Sequence, residues 1–189
     1  MLSVLAQLYP QDAQVVATCG PQLIQAGNDS APRVRRNALN ALETNAGGPP
    51  ASSAGVFKQA LADPDARVKQ LGAIGMMRLQ AAGVKDSTEL VSQAVASASD
   101  ESAKQALLLG VAQSRITDKG VAQAARQLFN DLSVPVQQAS ILAYEGASSD
   151  KASAAAVLQG LSGASTASPE GKRTAAEAIR RLKGEAGTY

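Results

Sequence analysis

Between Val68 and Leu79, the residues Val68, Gly72, Gly75, Met76 and Leu79 fall three or four positions apart, the spacing of one helix face. The pattern returns. Val34–Leu42, Val68–Met76, Ala103–Val111, Val136–Tyr144 and Gly171–Ile179 align column by column at a spacing of about 34 residues. In the eighth column every residue is tiny: Ala41, Gly75, Gly110, Ala143 and Ala178. Small side chains are what a close approach of two helix backbones needs. The ninth column is bulky, with Leu42, Met76, Val111, Tyr144 and Ile179. Ahead of each of these helices, apolar spacing and start signals predict another: Asp12–Ala26, Ser52–Ala62, Ser87–Ser97, Lys119–Asn130 and Ala152–Leu161. Runs rich in Gly, Pro, Ser and Asn, such as Asn45–Ser53 and Gly163–Gly171, separate them, and no alternation of strand length occurs.

The prediction is an all-α chain of about five helix pairs, with repeats near 10–46, 47–82, 83–117, 118–148 and 149–184. A pair of this size buries its apolar faces only by stacking on its neighbours. Five residues ahead of the first column stand Asp29, Asp63 and Asp131, with Ala98 and Thr166 breaking the series. An aspartate there is expected to accept from the N–H groups where the chain turns into the helix, or to meet a basic residue of a neighbouring turn. The second column supplies such residues in Arg35, Lys69, Lys104 and Lys172, with Gln137 the exception. Val4–Leu8 reads either as the tail of a second helix from a longer array or as a short capping helix. Ser168–Lys183, polar and ending in Arg180, Arg181 and Lys183, reads as a terminal repeat that meets water.

The unit "DPDARVKQLGAIGMMRL", Asp63–Leu79, resembles a HEAT repeat, and the five aligned units extend the resemblance from about Pro10 to Gly184. The resemblance implies a right-handed superhelix of antiparallel helix pairs, a solenoid whose second helices line a concave, partner-binding groove. Ala-, Ser- and Gln-rich helices also resemble talin-type rod bundles, which have longer helices and lack this period.

Composition narrows the chemistry. Aromatic residues make up 3% of the chain, so Ala, Leu, Val, Ile and Met must fill the core. With no histidine the commonest general base is missing, and no His/Cys cluster or calcium-type acidic loop is present. Neither catalysis nor a cofactor nor a metal is expected. Asp63 with Asp65 and Asp100 with Glu101 are paired carboxylates, but each pair precedes a helix, where negative charge suits exposed N–H groups. Cys19 is expected to be a buried, inert thiol. A net charge of +2 is far from what wrapping polyphosphate requires, and no window reaches membrane-span length, so a soluble chain with no membrane insertion is expected and its compartment stays open.

What remains is binding. The seventh column lies about 140° from the centre of the packed stripe, at 100° per residue, and should be exposed. It holds Asn40, Ile74, Leu109, Leu142 and Glu177, with Met77 a turn beyond Ile74. Lined up, Ile74, Met77, Leu109 and Leu142 would form an apolar strip suited to a peptide; a helix buried on several sides would give the same pattern. Beside it, Arg35, Arg36, Lys69, Lys104, Lys172 and Arg173 could read acidic groups on a partner, or be spent on pairing within the chain. The reading is a non-catalytic scaffold for a protein or peptide partner. HEAT-like proteins that cradle nucleic acid and HEAT-like bilin lyases are the alternatives, and nucleic acid is not expected because two Phe and three Tyr offer no stacking platform.

Overall fold

The structure, a computed structural model, describes residues 13–45 and 47–184, with side chains from residue 18 onward. The helix suggested at Val4–Leu8 lies outside the described residues. Among those residues there are ten α-helices and no strand. They fall into two compact units, divided after Ala94.

In the first unit, α1 (Ala13–Ala26) and α2 (Pro32–Glu43) form one antiparallel pair, and α3 (Ala54–Ala60) and α4 (Ala66–Ala81) the next. The second helices α2 and α4 pack on each other, and each packs on its own first helix. Their shared core contains Leu23, Leu39, Leu42, Phe57, Val68, Met76 and Leu79, all at most 3% exposed. Side chains of this kind contribute about 1.5–3 kcal/mol each on full burial. Gly72 and Gly75, one turn apart on α4, meet Ala60 and Phe57, one turn apart on α3. A Cβ on Gly72 would stand 2.9 Å from the Ala60 carbonyl carbon, and one on Gly75 would overlap the Phe57 ring. The small residues of α4 are therefore cut to the shape of α3. Helix α5 (Ser87–Ser97) begins in this unit and runs through the division.

The second unit comprises α6 (Glu101–Ser114), α7 (Lys119–Arg126), α8 (Val134–Ala147), α9 (Lys151–Gly163) and α10 (Pro169–Leu182). Here α8 packs between α6 and α10, with α7 against α8 and α9 against α10. Leu107, Leu108, Val121, Val136, Ile141, Leu158 and Ala175 fill the core.

The second helices begin alike. Asp65, Asp100, Ser133 and Ser168 each accept from the backbone N–H three residues on, at 3.0, 2.8, 3.4 and 3.0 Å. Such caps are worth about 1 kcal/mol each. Helix α2 lacks one, having Ala31 at that place and Pro32 in its first turn. Two first helices are shorter than the sequence predicts. Helix α7 ends at Arg126 rather than Asn130, because Leu128 and Phe129 N–H turn to carbonyls three residues back. That tightening delivers the Phe129 ring edge-on to Tyr144, with centroids 5.3 Å apart. Helix α3 likewise tapers after Ala60, where Ala62 and Asp63 N–H bond to Gln59 and Ala60 carbonyls.

Candidate functional site

The aspartates five residues ahead of the first column do not cap. Each folds the turn instead: Asp29, Asp63 and Asp131 Oδ1 accept from the N–H two residues on, at 2.8, 2.8 and 3.0 Å. After Asp63 and Asp131 the capping falls to the residue two places later, Asp65 and Ser133. The remaining acceptor capacity of Asp63 and Asp131 faces the preceding repeat. Arg35 grips Asp63 with two parallel bonds, Nε to Oδ2 at 2.7 Å and Nη2 to Oδ1 at 2.8 Å. Lys104 Nζ meets Asp131 Oδ2 at 2.7 Å. Where the basic residue is replaced, Gln137 Oε1 accepts from Ser168 Oγ at 2.7 Å.

The second column also ties its own loop. Arg35 Nη1 donates to the Asp29 carbonyl at 2.8 Å, Gln137 Nε2 to that of Asp131 at 2.7 Å, and Lys69 Nζ to that of Asp63. Arg36 pairs with Asp65 at 2.9 Å. Four of the six cations expected to face a partner, Arg35, Arg36, Lys69 and Lys104, are thus engaged within the chain. Lys172, half-buried, and Arg173, exposed, have no carboxylate partner among the described residues.

The electrostatics follow the contacts. The hydrogen bond from Arg35 to Asp63 raises the guanidinium pKa, outweighing desolvation. The Lys104 hydrogen bond, then the Ser133 N–H, hold the Asp131 carboxyl below the usual range.

A second set of pairs was not read from the sequence. Arg78 Nη1 meets Glu43 Oε1 at 2.5 Å and the Glu43 carbonyl at 2.9 Å, while Arg181 forms two bonds to Glu145, at 2.8 and 2.7 Å. Here the acid stands in the earlier repeat and the base in the later one, the reverse of the first set. The signal was a Glu in the tenth column followed 35 or 36 residues later by an Arg, present in two repeats only. Burial pushes the Glu43 carboxyl up, opposed by Arg78 and Arg67. Between α6 and α8 that place is taken by contact, since a Cβ on Gly146 would come within 3.2 Å of the Ala112 carbonyl oxygen.

The apolar seventh column divides. Ile74 is 5% exposed and Met77 0%, so the exposure expected of both is corrected: α4 is covered over all of residues 70–77. Leu109 and Leu142 remain half-buried. They come from α6 and α8, which pack directly on each other in the second unit. Asn40 and Glu177 are exposed.

Other chemistry is sparse. Cys19 is a free thiol, half-buried on α1 rather than fully buried as expected. Asp65 and Asp100 are caps, as their place before a helix suggested. Among the described residues no group of three or more His, Cys, Asp or Glu side chains could hold a metal, and no helix is long and apolar enough to cross a membrane.

No protein-family model matches the sequence, and no curated protein does. Solved structures match its fold. An engineered protein, Northeast Structural Genomics Consortium Target OR329, is 16% identical with a TM-score of 0.53 over 97% of this chain and 89% of its own. The designed armadillo repeat protein YIII(Dq.V1)4CPAF in complex with peptide (KR)4 is 14% identical, with a TM-score of 0.52 over 96% of this chain and 90% of its own. The fold is an all-α, armadillo-like repeat solenoid.

Proposed function

We propose that this chain is a non-catalytic interaction scaffold of HEAT-like repeats, and that the face formed by its second helices binds a peptide or protein segment. The HEAT resemblance makes that the concave side. One observation carries the reading. On α6 and α8, Leu109 and Leu142 keep apolar surface open to solvent, while the charges around the repeats are largely tied to one another. Half-open leucines on two helices that pack on each other offer a partner an apolar anchor, which supplies most of the affinity in such interfaces. Lys172 and Arg173, without carboxylate partners among the described residues, are the cations we propose to orient the partner.

The designed armadillo repeat protein of like fold holds a peptide, (KR)4, which supports peptide binding as a use of this architecture. With Arg35, Arg36 and Lys104 committed to carboxylates, the chain presents no row of free cations from those positions to a phosphate backbone. The experiment is selection of a peptide against the intact chain, followed by its affinity for the wild type and for Leu109→Gln/Leu142→Gln. Weaker binding to the variant is expected.

A further inference from the structure

The first helices of the second unit show a different surface. Helices α7 and α9 stand apart above the end of α8 and leave an open groove of about 920 Å³, floored by Tyr144 and Ala147. Its wall on this side is α7 and the turn that follows it. Lys119, Gln123 and Arg126 recur at i, i+4 and i+7 of the helix, Gln127 and Asn130 come from the turn, and all five are exposed. Among the described residues no carboxylate pairs with the two cations: of those nearest in the chain, Asp118 caps α7, Asp131 holds Lys104, and both oxygens of Asp150 are taken by Ser153. Lys119 and Arg126 have no ion-pair partner among the described residues. Asn130 uses its carbonyl to accept from Thr166 Oγ1 at 2.9 Å, which leaves its amide nitrogen to donate.

We propose that this groove is a second docking surface, and that its occupant is an acidic peptide segment in extended form. Two unanswered cations on one wall call for negative charge. The amides between and beyond them carry both donors and acceptors, the complement of a peptide backbone. Dimensions agree. Lys119 and Arg126 lie about 10.5 Å apart along the helix, and same-side residues of an extended chain recur about every 6.8 Å. Long, flexible cationic side chains can close on carboxylates two or four residues apart. Asp150 on the facing wall repels any anion, so the occupant's carboxylates must all face α7; the alternating side chains of an extended peptide allow that, and a phosphate backbone charged at every residue does not.

The surface is separate from Leu109 and Leu142, so it stands or falls independently of the proposed function. The test is fluorescence polarisation of the intact chain with a short labelled peptide of alternating Glu and Ser, its Lys-for-Glu counterpart, and a single-stranded oligonucleotide. Saturable binding of the Glu peptide alone is expected. It should weaken by about ten-fold or more in Lys119→Glu/Arg126→Glu and less in Lys119→Gln/Arg126→Gln, with Leu109→Gln/Leu142→Gln unchanged. Lys119 and Arg126 are both exposed, and thermal melts confirm that each variant is folded. Absence of saturable binding, equal affinity for the charge-reversed variant, or equally tight oligonucleotide binding overturns the proposal.

Discussion

At Gly75 a single added methyl group would overlap the ring of Phe57. The ring is 0% exposed and held on every side, so it cannot swing away. Gly75→Ala should therefore destabilise the chain by about 1–3 kcal/mol in urea unfolding, even though alanine is the better helix former. Gly160→Ala makes the contrast. It lies on α9 with nothing within 4 Å of the added carbon, and should stabilise by about 0.5–1 kcal/mol. Equal effects at the two positions would contradict the packing argument. The tight contact at Gly75 could be read from the sequence, but not its form: Gly75 faces the Phe57 ring, and the backbone approach expected of that column falls at Gly72, three residues earlier. The burial of Ile74 and Met77 could not be read from the sequence. Their helical angle points away from the stripe, but α4 is covered on several sides, and a single helix's pattern does not encode how many neighbours surround it.

Between elements, the charge pairs fix the register of one repeat on the next. Arg35 and Asp63 are each 11% exposed at the side chain and joined by two bonds, so removing either leaves a partly buried charge alone. Arg35→Ala and Asp63→Ala should each cost about 1–3 kcal/mol, and the double variant should lose less than their sum by about 1 kcal/mol or more. Additive losses in that cycle would mean the two groups do not act together. Acid offers a second check in the other unit. The Asp131 carboxyl is held below its ordinary value of 3.8, so its contribution is present above that pH and is lost as pH falls through the lower, folded value. The melting temperature of the wild type should fall over that interval more steeply than that of Asp131→Asn; parallel curves would remove Asp131 from the account. Glu43 has the opposite sign. Its raised pKa makes its contribution full at low pH and smaller as pH rises through the folded value, so it does not mimic the effect of Asp131.

The aspartate column announced these links because it recurs in three repeats beside a recurring base. Its division of labour was hidden. Whether an aspartate caps a helix or folds the turn before it depends on a displacement of two residues, and Asp63 and Asp65 are the same residue type. The Glu43–Arg78 and Glu145–Arg181 pairs escaped notice because two of five repeats carry them, and two instances do not make a column.

For the molecule as a whole, helix pairs and an armadillo-like fold followed from a period of about 34 residues, since pairs of that size must stack to bury their apolar faces. The proposed binding face was legible only in part. Leu109 and Leu142 came from the same angular argument that failed at Ile74, and burial by neighbouring helices separates the two outcomes. Function on this reading rests on those two leucines. The decisive measurement is the affinity of a selected peptide for Leu109→Gln/Leu142→Gln relative to wild type, with melting temperatures measured alongside. The account predicts a loss of about ten-fold or more, equivalent to about 1.4 kcal/mol, with the variant still folded. Unchanged affinity in a folded variant would contradict it and remove the second-helix face as the binding site.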